Sequence, residues 1–262
     1  MAEAPTISSE QLARRRGDYG FDAPYVPIIF IAIGIGLLGL AAASVWVFEQ
    51  PVLAVVCLIY AVYMLLSAGS YIYYIYYIYT TRVGKFRVWS ELLTGLGLRG
   101  DEQAADLGCG RGAVLLMATQ LLPEGKITGI DLWKTSDQSG NDPAETRRNA
   151  ARAGVDAQRV ELLTADMRAI PLPDASCDLA LSSLAIHNIP SAAGRAQAID
   201  EAVRLLKPGG RLMIVDIRAT SAYAEQLRQR GMANVQVRNL GWRFWYGSPF
   251  VAAKLVSVEK PA

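Results

Sequence analysis

The chain has 262 residues, of which 52% are hydrophobic and 19% charged, and its net charge is +2. This is more apolar than an average soluble domain, in which about 25% of residues are charged. The near-neutral charge and the lack of a long basic run argue against a nucleic-acid partner. With three scattered cysteines and one histidine, we predict no metal site and reduced thiols.

Two uncharged segments near the N-terminus hold most of the apolar excess. Residues 27–48 would form a helix of about 33 Å, enough for a hydrocarbon core of about 30 Å. After a short turn, residues 52–70 are again uncharged. The pattern predicts a transmembrane helical hairpin with spans at about 27–48 and 52–79. A buried hairpin and a signal peptide are the alternatives, although the first segment starts later than a signal peptide's apolar region.

The positive charges predict the orientation of this hairpin. Arg14–Arg16 precede it, Arg82, Lys85 and Arg87 follow it, and the turn carries only Glu49. The positive-inside rule therefore places both ends in the cytoplasm. We expect an integral membrane protein, in the inner membrane if it is bacterial, with its N-terminus and the domain after the hairpin in the cytoplasm.

The predicted domain organisation has three parts. Residues 1–24 form a cytoplasmic N-terminal segment, residues 25–79 form the hairpin, and residues 80–262 form a globular domain.

A run of tyrosine and isoleucine ends the second apolar segment. Six of the nine residues from Tyr71 to Tyr79 are tyrosine and the other three are isoleucine. On a helix the isoleucines fall within an arc of about 120° and the tyrosines fill the opposite side, whereas a strand would mix them. The run is therefore predicted to continue the second helix beyond the hydrocarbon core, where tyrosine is favoured. Tyr76, on the tyrosine side, is a candidate substrate contact.

From Thr80 onward, short apolar strands alternate with helical patterns. This alternation is typical of a parallel sheet with helices on both faces, so the predicted fold class is α/β, doubly wound and Rossmann-like. Helices are predicted at Phe86–Leu96 and Arg195–Leu206. Seven strands are predicted, at Gln103–Gly108, Gly125–Leu132, Arg159–Asp166, Cys177–Leu184, Gly210–Ile217, Val235–Leu240 and Val251–Lys260.

The most informative motif is "DLGCGRG", Asp106 to Gly112. Its glycines let the chain turn tightly after the strand and let a ligand lie against the backbone, and the next helix directs its first amides there. Asp131 ends the following strand, where a carboxylate can accept both hydroxyls of a ribose. The spacing alone does not separate a dinucleotide from another adenosine-containing cofactor.

A resemblance to a known family distinguishes between these two kinds of cofactor. "DLGCGRG" resembles the first motif of class I S-adenosylmethionine-dependent methyltransferases, and "GIDL" resembles their ribose-binding strand end. "TADMRAIPLPDASCDLALSSLAIHNI" and "EAVRLLKPGGRLMIVDI" are similar to the segments around their fourth and fifth strands. The likeness covers about Val88 to Lys260 in the right order, and the two apolar segments are not part of the family core. It implies a seven-stranded sheet and S-adenosylmethionine as the cofactor.

The resemblance also implies a role for each cofactor-binding residue. Asp106 and the glycines would hold the methionine end and Asp131 the ribose. Leu132 would pack on the adenine, and Asp166 would accept a hydrogen bond from its amino group. Alone, each carboxylate could equally be a helix cap or a solvated loop charge. The full set of cofactor candidates is Asp106, Gly108, Cys109, Gly110, Gly112, Asp131, Leu132, Asp166, Met167 and Ser182.

His187 and Asn188 are the candidate catalytic residues. They follow the fourth predicted strand, beside the expected point of methyl transfer. Such an enzyme mainly positions the acceptor and excludes water, and a base is needed only if the acceptor arrives protonated. Histidine titrates near neutral pH and suits that role. The alternative is a histidine that packs at a strand-to-helix corner.

Two segments outside these motifs are candidate substrate contacts. Residues 133–143 are a polar insertion after Asp131, beginning with Trp133. Residues 241–250 join the last two strands and carry Trp242, Trp245 and Tyr246. The alternative for this aromatic loop is a hairpin that caps the core. The short link between the first helix and the first strand predicts a cleft mouth near the tyrosines, facing the membrane.

The sequence therefore predicts a membrane-anchored methyltransferase. Its expected partners are the bilayer and a small, hydrophobic or interfacial acceptor: a thiol, a phenol or quinone precursor, or a lipid amine. The same fold acting on a soluble molecule or a protein, and a non-catalytic cofactor-binding protein, stay open. The sequence does not indicate the oligomeric state.

Overall fold

The computed structural model describes residues 7–14, 17–19, 28–29, 31–36 and 52–262. In these residues one seven-stranded sheet has the order β3-β2-β1-β4-β5-β7-β6. The strands are β1 (Gln103–Leu107), β2 (Lys126–Asp131), β3 (Val160–Thr164), β4 (Cys177–Ser183), β5 (Leu206–Asp216), β6 (Ala233–Asn239) and β7 (Lys254–Glu259). The predicted seven-stranded, Rossmann-like sheet is confirmed.

The strand directions create a binding crevice at the centre of the sheet. β1 pairs in parallel with β2 on one side and with β4 on the other. The chain therefore reverses its direction of travel across the sheet at β1. In open α/β sheets, ligands bind outside the carboxyl ends of the strands at such a reversal. The sheet is not fully parallel, because β7 runs antiparallel to both β5 and β6.

Helices cover both faces of the sheet. Leu93 and Leu115 belong to the buried cluster on one face, and Ile199 and Leu227 to the cluster on the other. The apolar side chains of these helices thus bury the sheet from both sides, as a doubly wound fold requires. The helices are α1 (Ser9–Leu12), α2 (Val52–Tyr79), α3 (Lys85–Thr94), α4 (Ala113–Gln120), α5 (Pro143–Arg152), α6 (Ala192–Leu205) and α7 (Thr220–Gln229).

Leu12 and residues 17–19 of the described N-terminal part pack on this domain. Leu12 and Tyr19 are buried, and the Tyr19 ring lies 5.2 Å from that of Phe86, centroid to centroid. The backbone N–H of Asp18 donates to Oδ1 of Asn149 at 3.0 Å. The division into 1–24, 25–79 and 80–262 stays a prediction.

α2 covers the residues of the predicted second span, 52–79, and its end packs on the loop that joins β6 to β7. The ring of Tyr79 stacks on Trp242 with centroids 5.6 Å apart, and Tyr77 meets Tyr246 edge-on at 6.1 Å. Gly84, in a π-helical turn at Thr80–Gly84, permits this approach. A Cβ atom there would lie 1.8 Å from the carbonyl oxygen of Arg243.

The membrane prediction is corrected by the structure. Within the residues it describes, no helix combines the length and apolarity needed to cross a membrane, so the integral-membrane location is wrong. Much of the first predicted span lies outside those residues, although residues 28–29 and 31–36 are helical. Apolar composition alone does not distinguish a helix in a bilayer from one on a protein surface. The tyrosine-rich end of α2 contacts protein, with Tyr77 only 2% exposed.

Candidate active site

A cleft of about 570 Å³ opens at the carboxyl ends of the central strands. The cleft lies at the end of β1, which is flanked by β2 on one side and by β4 on the other. The glycine-rich turn and the insertion after β2 form one side of its lining. The end of α2 and the β6–β7 loop contribute to the other.

The glycine-rich turn brings bare backbone to the cleft. Gly108 has φ +76°, and a Cβ atom there would lie 2.1 Å from Cβ of Ala185. Gly110 has φ +50°, and its Cβ would meet Oε1 of Gln138 at 2.5 Å. Both the left-handed backbone and the close approach require glycine. The turn is thus a cradle that any side chain at these positions would fill.

Asp106 places a buried carboxyl at the base of this cradle. Its side chain is 1% exposed, and Oδ1 has no hydrogen-bond partner among the described residues. Burial, and then the charge of Asp131, raise the pKa of Asp106 to about 7. A buried carboxyl with an unused oxygen is suited to a cationic ligand group, which would both fill the acceptor and favour the charged form.

Asp131 ends β2 and is held by three donors. Its Oδ2 accepts from the backbone N–H of Gly110 at 2.8 Å. Its Oδ1 accepts from the N–H of Trp133 at 2.6 Å and from the amide of Asn141 at 3.1 Å. The carboxylate therefore ties the glycine turn to the insertion and has a fixed orientation in the cleft.

Asp166 lies after β3, where the resemblance places the adenine. Arg168 forms a bidentate pair with its carboxylate, with Nε 2.9 and 3.0 Å from the two oxygens. This hydrogen bonding lowers the pKa of Asp166. Leu132, 43% exposed, and Met167 line the cleft beside it. An exposed leucine next to a fixed carboxylate offers a flat heterocycle both an apolar surface and an acceptor.

His187 lies in a short turn after β4 and is paired with Asp216 at the end of β5. Nδ1 of His187 is 2.5 Å from Oδ1 of Asp216, and the His187 backbone N–H donates to Oδ2 at 3.1 Å. The hydroxyl of Tyr223 donates to the same Oδ2 at 3.4 Å. Asp216 is buried. The contact does not have hydrogen-bond geometry, and Nδ1 has no hydrogen-bond partner among the described residues. A proton on Nδ1 would still be attracted by the adjacent carboxylate and would leave Nε2 able to accept one.

The remaining wall of the cleft is mainly apolar and aromatic. It includes Tyr73 and Tyr77 of α2, Tyr246 and Val251 of the β6–β7 loop, and Ile189, and two cationic residues, Lys85 and Arg218, line the cleft as well. The Tyr73 ring lies against Gly247, where a Cβ atom would come within 2.2 Å of it. Burial raises the pKa of Tyr73, so its phenol stays neutral at ordinary pH.

The structure brings most of the predicted cofactor residues together. Gly112 and Ser182 are not part of the cleft lining; Ser182 is buried and donates to the carbonyl of Leu107 at 2.8 Å. Its neighbour Ser183 lines the cleft instead and accepts from Nε1 of Trp89 at 2.9 Å. The predicted residues that line the cleft are Asp106, Gly108, Cys109, Gly110, Asp131, Leu132, Asp166, Met167, His187 and Asn188.

Among the predicted substrate contacts, Tyr246 alone lines the cleft. Tyr76 packs near Trp245, with centroids 6.5 Å apart, and Trp242 stacks on Tyr79. Trp133 turns away and donates from Nε1 to Oγ1 of Thr164 at 2.9 Å. For these four side chains the structure favours a packing role.

Sequence reasoning missed four residues that matter at the cleft: Asp216, Asn141, Tyr73 and Tyr77. Asp216 ends a predicted strand, and the carboxyl ends of parallel strands converge, so its position was available as a signal. The tyrosines were expected at the headgroup region and near the cleft mouth, but Tyr73 and Tyr77 were not singled out. Asn141 lies in the insertion without a motif of its own.

Comparison with known proteins agrees with this geometry. Residues 105–214 match the family described as "Methyltransferase domain". A 27-O-demethylrifamycin SV methyltransferase of Amycolatopsis mediterranei is 33% identical over 161 residues, covering 59% of this chain and 55% of that protein. A ubiquinone/menaquinone biosynthesis C-methyltransferase of Roseobacter denitrificans is 29% identical, covering 51% of this chain and 50% of that protein. The chain thus spans about half of the length of these curated relatives.

Solved structures show the same fold. A geranyl diphosphate C-methyltransferase from Streptomyces coelicolor, solved with S-adenosyl-L-homocysteine, gives a TM-score of 0.54 at 17% identity, covering 69% of this chain and 77% of that chain. A SAM-dependent methyltransferase from Aquifex aeolicus gives 0.52 at 19% identity, covering 65% and 88%. The fold is that of the class I methyltransferases. Together with the matched domain, it supports the prediction of S-adenosylmethionine as the cofactor.

Proposed function

We propose that the chain is an S-adenosylmethionine-dependent methyltransferase that acts on a small, hydrophobic acceptor. The observation that carries this proposal is the position of three groups in one cleft. Asp106, Asp131 and His187 all line it, at the carboxyl ends of neighbouring parallel strands. None of these residues alone identifies a cofactor or a reaction. Together they supply a carboxyl for a cationic group, a carboxylate for a ribose and a histidine that can act as a base.

The residues present fit the cofactor. Asp106 would hold the amino group of its methionine end, the backbone at Gly108 and Gly110 would lie along it, and Asp131 would hold the ribose. Leu132 and Asp166 would hold the adenine. When bound, the cofactor supplies a methyl group on a sulfonium, already activated for transfer. What remains for the protein is to align the acceptor and exclude water.

His187 is proposed as the base that takes the proton of the acceptor. Its Nδ1 faces the buried carboxylate of Asp216, so Nε2 is the nitrogen that accepts a proton from a hydroxyl, thiol or amine. Asp216 would stabilise the imidazolium formed at that moment. This is the base-and-orienter arrangement of many enzymes, in which a carboxylate fixes the histidine and offsets its charge.

The acceptor is proposed to be hydrophobic and at least partly aromatic. Tyr73, Tyr77 and Tyr246 line the cleft and present rings against which a flat acceptor can stack. The matched relatives are named for methyl transfer to a rifamycin and to quinone intermediates. Both names describe cyclic small molecules, which supports this acceptor class.

Transfer of radiolabelled methyl groups tests the proposal. The full chain would be incubated with [methyl-³H]S-adenosylmethionine and a panel of phenols, hydroquinones, thiophenols and anilines, and the products separated by extraction. We expect time-dependent labelling of at least one class. Gly110→Val, which fills the glycine cradle, serves as the control and should transfer nothing.

Two results would overturn the proposal. Failure of the wild-type chain to bind the cofactor would remove the methyltransferase assignment altogether. Tight cofactor binding without transfer to any member of the panel would instead favour a non-catalytic binding protein or a different acceptor class.

A further inference from the structure

The polar insertion after β2 places Asn141 beside the ribose-binding carboxylate. Its side chain is 5% exposed and lines the cleft. The amide nitrogen donates to Oδ1 of Asp131 at 3.1 Å and to the carbonyl of Lys134 at 3.4 Å. The orientation of the side chain is therefore fixed by its two donated bonds.

The other end of this amide is unused. Oδ1 of Asn141 is buried and has no hydrogen-bond partner among the described residues. Buried polar atoms are nearly always paired, and an unpaired acceptor costs free energy unless a ligand or water satisfies it. A buried acceptor in the wall of a cofactor cleft is a site for a ligand hydroxyl.

A count of acceptor positions shows why Asp131 alone is insufficient. A carboxylate offers about four lone-pair positions. The N–H groups of Gly110 and Trp133 and the amide of Asn141 already occupy three of them. One position remains, on Oδ2, whereas a ribose presents two neighbouring hydroxyls. That Asp131 accepts from both hydroxyls stays a prediction, and its present hydrogen bonds leave one lone-pair position for this purpose.

We propose that Asn141 Oδ1 is the second acceptor for the ribose of the cofactor. One hydroxyl donates to Oδ2 of Asp131 and the other to Oδ1 of Asn141, while the Asn141 amide holds the carboxylate in place. Asn141 is thus a cofactor-recognition residue supplied by the insertion, not by a strand end. This inference rests on the proposed use of S-adenosylmethionine.

Deoxy analogues of the product separate this role from a purely structural one. Calorimetry would measure binding of S-adenosylhomocysteine and of its 2′-deoxy and 3′-deoxy forms to the wild type and to Asn141→Ala. We expect Asn141→Ala to bind the parent compound about tenfold more weakly, the scale of one lost hydrogen bond. The deoxy analogue that lacks the hydroxyl bound by Asn141 should bind equally well to the wild type and to Asn141→Ala. The other deoxy analogue should still bind more weakly to Asn141→Ala than to the wild type.

Controls keep the test decisive. Asn234→Ala removes an exposed asparagine on the distant β6 strand, where it bonds to Glu259, and should leave all three affinities unchanged. Asn141→Ser, too short to reach the ribose, replaces Asn141→Ala if that variant does not fold.

Equal weakening for all three compounds would assign Asn141 to positioning of Asp131 alone and overturn the inference, as would unchanged affinity for the parent. Failure of the wild type itself to bind would overturn the proposed function instead.

Discussion

The two sides of the cleft are built in different ways. Most of the cofactor side, from Asp106 to Asn141, comes from one stretch of chain whose backbone amides and carboxylates bond to one another, and Asp166 joins it from after β3. The acceptor side joins Tyr73 and Tyr77 to His187 and to the β6–β7 loop, which are far apart in sequence. A local motif can specify the first side, whereas only the tertiary fold assembles the second. We therefore expect mutations on the two sides to affect different measurable quantities.

The largest effect is expected at His187. In His187→Ala the base is lost, and kcat with an acceptor identified by labelling should fall by about 10² to 10⁴. The dissociation constant of S-adenosylhomocysteine should stay unchanged, because His187 lies on the acceptor side. Asp216→Asn should lower kcat as well. An unchanged kcat in His187→Ala would remove this residue from the mechanism.

A substantial effect on stability is expected where α2 meets the β6–β7 loop. Gly84→Ala places a methyl group against the carbonyl of Arg243 and should lower the free energy of unfolding by about 1–3 kcal/mol. Gly69→Ala is the matched control, because a Cβ there meets none of the described residues within 4 Å. That helical substitution should be neutral or add up to about 1 kcal/mol. Equal results for the two variants in urea unfolding would show that α2 does not depend on this contact.

A pH effect is expected on the cofactor side. Because burial raises the pKa of Asp106 to about 7, the carboxyl is largely protonated below that pH and cannot pair with a cationic amino group. The affinity for S-adenosylhomocysteine should therefore rise by roughly 25-fold between about pH 5.5 and 7.5 and then level off.

The same carboxyl gives an opposite effect on the stability of the ligand-free protein. Its raised pKa favours the protonated form in the folded state, so this group's contribution to the free energy of unfolding falls as pH rises from about 4 toward 7. Asp106→Asn should remove both pH dependences, weaken binding at pH 7.5 and raise the melting temperature there. A wild-type affinity that does not vary with pH would contradict the role of Asp106.

The smallest effect is expected in the aromatic wall. Tyr246→Leu should raise the KM for an aromatic acceptor about two- to tenfold, the scale of one aromatic contact, with cofactor affinity unchanged. Phe250→Leu is the control from the same loop, since Phe250 is 96% exposed. Steady-state kinetics that show the same KM for both variants and the wild type would exclude Tyr246 from the acceptor site.

The fold was largely predictable from the sequence because each strand and helix has its own periodic pattern. Most predicted strands agree with the structure within two residues. β5 begins earlier, at Leu206, because its backbone pairs with Cys177 across a register shift that comes before the regular ladder from Leu179. That irregularity is a tertiary property without a local signal.

The site was predictable only in part, because its cofactor side follows a local motif whereas its acceptor side is assembled by the tertiary fold. The glycine turn and Asp131 are visible as spacing, but the pairing of His187 with Asp216 depends on the register that sets Ser183 opposite Val215. The membrane prediction was wrong because the apolar and tyrosine-rich composition of α2 does not reveal what its side chains contact. The unused acceptor of Asn141 depends on hydrogen-bond geometry, which a sequence does not show.

Calorimetric titration of the full chain with S-adenosylhomocysteine tests the central claim most directly. We predict saturable binding at a single site at pH 7.5, and a large loss of affinity in Asp131→Ala, which removes the carboxylate that ties the glycine turn to the insertion. Absence of binding by the wild type, or equal affinity in Asp131→Ala, would contradict it.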